Sequence, residues 1–278
     1  MLLRFTKMHG LGNDLMVLDL ISQHAYIQPQ QMRAWSDRQT GVGFRRLALI
    51  EVPQHPDADF SCRMFDEQGA EVDWLASDVC CVARLVADKR LISKAQMRVE
   101  LRHAAIDVQV HADGSVSVPL NLPEIMTEQV AFLPNSFIQQ QTQPHLLLDT
   151  SFKMLSMHGL HAVFRVADLA QFPIAELVRH LERQASLPRG TTVSAVQVQD
   201  RNNLSAQIWQ LGCGAIDSFH YSLCALAVAA IAQNWVNRQV HIEFANGKSR
   251  AWLQWLENDQ YVHFTGSATR VYEGQIRL

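Results

Sequence analysis

Apolar residues in the first third of the chain fall into short alternating or compact runs. "LLRFTKMHG", "DLMVLDL", "GFRRLALIEV" and "ADFSCRMF" each have the length and pattern of a β-strand. Pro29 opens "PQQMRAWSDRQ", which reads as a short helix with proline in its first turn. "MRVELRHAAIDVQVHADGSVSVPL" predicts strands around a turn at Asp113-Gly114, and the proline-bearing "NLPEIMTEQVAFLPN" reads as a linker. The second half repeats the style. "HAVFRVADL", "VSAVQVQD" and "LSAQIWQLG" are predicted strands, and "PIAELVRHLERQ" is a helix opened by Pro173. "QVHIEFANGKSRAWLQWLE" predicts a hairpin turning on Asn246-Gly247.

Two further segments are apolar over most of a helical circumference: "SDVCCVARLVADKRL" from Ser77 and "SLCALAVAAIAQNW" from Ser222. A helix without a polar face has to be buried on most sides. Each half is therefore expected to wrap strands around one central helix, with Ser77 and Ser222 as N-caps. The halves also share letters. Met-His-Gly-Leu occurs at Met8 and again at Met157, each followed by an Asp-Leu pair, Asp19-Leu20 and Asp168-Leu169. Asp73, Leu75 and Cys80 recur as Asp217, Phe219 and Cys224 at the same internal spacing. Matches in the same order and setting point to one α/β unit used twice.

Composition narrows the classes. With 48% hydrophobic and 18% charged residues, the chain is an ordinary globular one that can bury a large core. A net charge of −3 with scattered basic residues argues against nucleic acid as partner. The longest apolar run, "LCALAVAAIA", is too short to span a membrane, and "MLLRFTKMHG" is not a secretory signal. Five cysteines (Cys62, Cys80, Cys81, Cys213, Cys224) without paired metal spacing read as reduced thiols of a cytoplasmic protein.

"FTKMHGLGNDLMVLDL", "GVGFRRL", "RMFDEQGAEV", "CVARLV" and "TGSATRVYEGQIRL" resemble the diaminopimelate epimerases, and the similarity runs over nearly the whole chain. The resemblance implies an α/β (α+β) fold of two pseudo-symmetric domains, each a curved sheet around a central buried helix. The expected division is 1–120 plus 266–278 for the first domain and 121–265 for the second, with the active site in the cleft between them. It implies homodimers and a cofactor-independent inversion of the α-carbon of diaminopimelate, in lysine and peptidoglycan synthesis. That inversion needs an acid and a base on opposite faces of the carbon. The family supplies two cysteines, each in a Cys-Gly-x-Gly loop that opens a buried helix, where a thiol pKa is lowered and backbone N–H groups receive a carboxylate.

Carried onto this sequence, the two cysteine positions hold Leu75 and Phe219. The glycine loops become Ala76-Ser77-Asp78 and His220-Tyr221-Ser222, while Cys81 and Cys224 match the family's second, non-catalytic cysteines. The Gly-Asn-Pro-His motif retains His161, and Gly-Ala-Gly-Glu becomes Gly212-Cys213-Gly214-Ala215. Asp66 and Thr192 stand for substrate-binding asparagines, Arg46 replaces a glutamine, and Asn13 is unchanged. An ionised Asp78 would suit the helix N-terminus and repel a substrate carboxylate aimed at the same amides.

Leucine and phenylalanine exchange no protons, so the epimerase reaction is expected to be lost. The binding candidates left by the resemblance are Asn13, Arg46, Asp66, His161 and Thr192, suited to a small anionic amino-acid-like ligand. No metal or cofactor is called for. A pseudoenzyme that binds a ligand, or assembles as a homodimer or with a catalytic homologue, is one reading. The alternative is an active isomerase that draws a new acid and base from Asp73, Asp217, His161 and His220, of which the aspartates also suit plain pre-helix positions.

Overall fold

The computed structural model describes residues 1–126, 153–183, 187–215, 220–244, 250–257 and 259–278. It is a mixed α/β protein, mostly sheet with few helices. Its internal contacts divide the chain into two units, Met1–Pro119 with Phe264–Leu278, and Leu120–His263.

The first unit runs β1 (Leu2–Gly10), β2 (Asn13–Asp19), α1 (Pro29–Ser36), β3 (Arg46–Glu51), β4 (Phe60–Asp66), β5 (Glu71–Val72), α2 (Ala76–Asp88), β6 (Gln96–Leu101), β7 (Ala104–Val110) and β8 (Val116–Asn121). The second runs β9 (Glu124–Ile125), β10 (Lys153–Ser156), β11 (Leu160–Arg165), α3 (Ile174–Arg183), β12 (Thr192–Asp200), β13 (Asn203–Gln210), β14 (Gly214–Ala215), α4 (His220–Ala232), β15 (Gln239–Phe244), β16 (Arg250–Gln254) and β17 (Tyr261–Gly266). The last strand, β18 (Thr269–Arg277), pairs antiparallel with β1.

The order of pairing is the same in both units. β1 and β2 form a hairpin, β2 is parallel to β3, β3 antiparallel to β4, and β4 parallel to β6. In the second unit β10 and β11 form the hairpin, β11 is parallel to β12, β12 antiparallel to β13, and β13 parallel to β15. Parallel neighbours need a crossover, and a helix supplies each one: α1 and α2 in the first unit, α3 and α4 in the second.

Both faces of each sheet are covered, which is why the strands read as nearly continuous apolar runs. On one face of the first unit Met16, Leu18, Leu47, Leu49 and Phe65 pack with Met32 and Trp35 of α1. On the other, α2 packs on β1, β2, β3 and β7. In the second unit Ala162, Phe164, Val193 and Ala195 join Leu177, Val178 and Leu181 of α3, while α4 packs on β10, β11, β12, β15 and β16. Leu223 to Val228 of α4 are at most 1% exposed. Each leucine or valine there contributes about 1.5–3 kcal/mol by leaving water.

The central helices begin earlier and end earlier than the sequence pattern implies. Leu75, extended at φ −113°, is the N-cap of α2, and its carbonyl accepts the N–H groups of Asp78 and Val79. Ser77 is therefore the second helical residue and Ser222 the third of α4; neither is an N-cap. A serine is a good cap, but here the backbone enters the helix before it arrives. At the other end Arg90 and Asn234 adopt the left-handed conformation (φ 53° and 56°). The following N–H groups, of Leu91 and Trp235, bond back to Val86 and Ala230 and stop each helix.

The Asp113-Gly114 turn lies between β7 and β8, with Gly114 at φ 83° and Asp113 accepting the Ser115 N–H at 2.8 Å. The opening of the expected linker is partly a strand, since β9 pairs with β10; residues 127–135 lie outside the described residues. The Asn246-Gly247 turn also lies outside them, although β15 and β16 pair antiparallel up to Glu243 and Arg250.

Candidate functional site

The KMHGLGND stretch builds the hairpin β1–β2 and seats it on α2. Leu11 (φ 51°) and Gly12 (φ 83°) turn the chain, and the arms pair at Gly10 with Asn13. A Cβ on Gly10 would lie 2.8 Å from the Ser77 carbonyl and 3.2 Å from Cys81 Sγ, so glycine is required where strand meets helix. Asn13 is buried and its amide donates to Ser77 Oγ at 3.4 Å. Lys7 Nζ contacts Asp14 at 2.6 Å and also donates to the Gly43 carbonyl, while Arg38 reaches Asp14 at 2.8 Å. Burial pushes the Asp14 carboxyl up, but hydrogen bonds and charge from Arg38 and Lys7 outweigh it and hold it below its ordinary value.

Leu75 stands at the N-terminus of α2, and a second ion pair stands beside it. Asp78, in the helix's first turn, faces Arg46 of β3 with Nε and Oδ2 3.2 Å apart; their side chains are 2% and 12% exposed. The contact is out of hydrogen-bond alignment, so both atoms are buried without a hydrogen-bond partner. Arg46 also donates to the carbonyl of Asp73. Burial lifts the Asp78 carboxyl to about 6, against the opposing pull of Arg46, a backbone hydrogen bond from Leu75 and the charge of Arg45.

Arg46 is directly opposite Asp66 on β4, but the Asp66 carboxylate is turned to its own loop, where it accepts the N–H groups of Gln68 and Ala70, both at 2.9 Å. Asn13, Leu75, Asp73, Asp78 and Arg46 are thus gathered around one helix end, with Asp66 adjacent in the sheet. The Arg46–Asp78 pairing is absent from the sequence reading, which treats Arg46 as a ligand anchor and Asp78 as a lone helix-end charge. Two replaced positions of opposite charge were the available signal.

The second unit presents a neutral counterpart. Its hairpin turns on Met157–Gly159, with His158 at φ 49° and Gly159 at φ 132°. His161 is 2% exposed and its Nε2 lies 2.9 Å from the Met157 carbonyl. A ring nitrogen facing a carbonyl carries the proton, which leaves Nδ1 a bare acceptor, buried and without a hydrogen bond. Burial first, and the nearby His158, lower the His161 pKa and keep the ring neutral around pH 7. Thr192 is its parallel neighbour on β12. Ser194, two residues on, and Ser222 of α4 are fully buried with hydroxyls that make no hydrogen bond. His158 stacks on Tyr221 with centroids 4.1 Å apart. Asp217 and Phe219 lie outside the described residues, as does the side chain of His220.

The retained thiols are not poised for proton transfer. Burial pushes Cys80 up to about 12 and lifts Cys62, Cys81 and Cys224 well above the ordinary thiol value. Among the described residues no group of three or more His, Cys, Asp or Glu gathers as a metal site, and no helix is long and apolar enough to cross a membrane.

No protein-family model matches the chain. It is 42% identical over 278 residues to the diaminopimelate epimerase of Ectopseudomonas mendocina, covering all of both chains. It is 41% identical over 279 residues to that of Azotobacter vinelandii, again over the whole of each. Among solved structures, the Bacillus anthracis phenazine biosynthesis protein of the PhzF family matches with a TM-score of 0.70 at 12% identity and full coverage of both chains, a likeness of fold. With full-length identity at this level, the chain belongs to the diaminopimelate epimerase family.

Proposed function

We propose that this chain keeps the epimerase fold without epimerase proton transfer and works by binding. The observation that carries the reading is the end of α2. Leu75 occupies the N-cap, where the family resemblance places the first catalytic thiol, and a leucine side chain neither takes nor gives a proton. Phe219 holds the matching position in the second half of the sequence. Losing one acid or base commonly costs ~10²–10⁴-fold in rate, and both are replaced here.

Of the substitutes among the described residues, Asp73 is exposed to solvent and is engaged by Arg46 only through its backbone carbonyl. His161 is neutral, sealed from solvent and bound through Nε2 to its own turn. The common order of elements in the two units supports descent from one duplicated unit. Assembly is the binding role we favour, as a homodimer or with a catalytic homologue. Met1, Leu2, Val271 and Tyr272, on or next to the paired strands β1 and β18, are 43–63% exposed. Exposed apolar side chains on such strands are points at which another chain can pack.

Incubation of purified protein with LL-diaminopimelate in deuterated water tests the loss of chemistry directly. We expect no α-deuterium uptake above a protein-free control, with a catalytic relative exchanging readily under the same conditions. Uptake that scales with the concentration of pure protein refutes the reading. Sedimentation of the chain alone, and mixed with such a relative, tests the assembly role.

A further inference from the structure

Two of the chain's departures from its family pattern touch each other. Arg46 stands where the resemblance gives a glutamine, Asp78 where it gives a loop glycine, and their charged groups meet at 3.2 Å under almost complete burial. Asp78 lies in the first turn of α2, three residues after the N-cap Leu75. A guanidinium and a helix-terminal amide are the usual receivers of a ligand carboxylate. Here the guanidinium faces, at 3.2 Å, a carboxylate that the chain itself provides in the first turn of the helix.

We propose that Asp78 is a built-in occupant of an anion position at the N-terminus of α2, so that the first unit is closed to any external carboxylate. Shortening Asp78 to glycine then opens a pocket for a small monocarboxylate, received by Arg46 and the helix amides. This rests on the reading that the helix end is the ligand pole of an epimerase fold that has lost its chemistry.

Asp14 and Asp78 differ in burial, their side chains being 21% and 2% exposed. Lys7 and Arg38 hold the Asp14 carboxyl below its usual value, as partners recruited for stability do. Arg46 does not achieve this for Asp78, whose buried carboxyl remains above its usual value. The two buried atoms that face each other also lack hydrogen-bond alignment. Asp78 thus fills a sealed position opposite Arg46 and carries a desolvation penalty there. The second unit lacks the device, because Ser222 stands at the corresponding third residue of α4.

The test is titration of wild type, Asp78→Gly and Asp78→Ala with sodium acetate and sodium formate at pH 8. Sodium chloride keeps ionic strength constant, and binding is read by calorimetry and thermal shift. We expect saturable acetate binding to the glycine variant with a Kd of about 1–10 mM, the strength of one charge-assisted contact set, and at least tenfold weaker binding to wild type. The alanine variant carries the test if the glycine variant does not fold. Asp78→Asn, which still fills the position, should bind no acetate, and adding Arg46→Gln to Asp78→Gly should abolish the gain. Folded glycine and alanine variants that bind no acetate, or a wild type that binds it equally well, overturn the proposal. Deuterium uptake by wild type would refute the loss of chemistry while leaving the acetate result to stand or fall by itself.

Discussion

Replacing Asp78 by asparagine keeps the shape of the side chain and removes its buried charge. Burial raises this carboxyl from an ordinary 3.8 to about 6. At about 1.4 kcal/mol per pH unit, the rise corresponds to roughly 3 kcal/mol of native-state penalty on the charged form at neutral pH. The native state holds the proton more tightly than the unfolded chain. The stabilisation is therefore fully present below pH 3.8 and is lost as pH rises to about 6, with no further change above. The attraction of Arg46 is already included in that value. Asp78→Asn should thus exceed wild type by about 3 kcal/mol at pH 8, or roughly 6–12 °C in Tm, and the two should converge towards pH 4. Urea unfolding followed by tryptophan fluorescence from pH 4 to 8 provides the difference curve. His161 titrates with the opposite slope in part of this window, and the difference between the two proteins removes its contribution. A flat difference curve, or a variant less stable than wild type at pH 8, would mean that the pair is a net stabiliser and would refute the reasoning.

Other consequences can be measured directly. Gly10→Ala drives a methyl to 2.8 Å from the Ser77 carbonyl, so it should cost about 1–3 kcal/mol in urea unfolding. Leu226→Ala, at a fully buried position on α4, should cost about 2–5 kcal/mol by the same measurement, and a smaller loss would mean the helix is not sealed on all sides. Leu75→Cys combined with Phe219→Cys should show no α-deuterium exchange above wild type, because Asp78 still fills the carboxylate position; exchange restored by the two thiols alone contradicts this.

What the sequence disclosed depended on how local the cause was. The all-round apolar pattern of α4 and the compact runs of β2, β3 and β12 name burial on both faces, and the structure agrees. The helix starts were misread because Ser77 and Ser222 are good caps by chemistry. Where a chain leaves the extended region is a matter of backbone path, and Leu75 carries no such signal. The repeated Met-His-Gly-Leu was misleading in a similar way. Met8 to Gly10 lie in a strand, whereas Met157 to Gly159 form a turn, and the positive-φ residue is Leu11 in one copy and His158 in the other. The letters and the backbone align in different registers. Arg46 with Asp78 was hidden for a further reason: a parallel crossover sets which strand lies against the helix end, and spacing along the chain says nothing of it.

Every residue of KMHGLGND that the structure engages serves the hairpin and its seat on α2: the Lys7–Asp14 contact, the bare Gly10, the turning Gly12, the Asn13 amide. The stretch thus has a structural role that does not depend on turnover. A genome survey keyed to that signature therefore counts architectures, and on the reading proposed above the letters to inspect for activity are those at 75, 78 and 219.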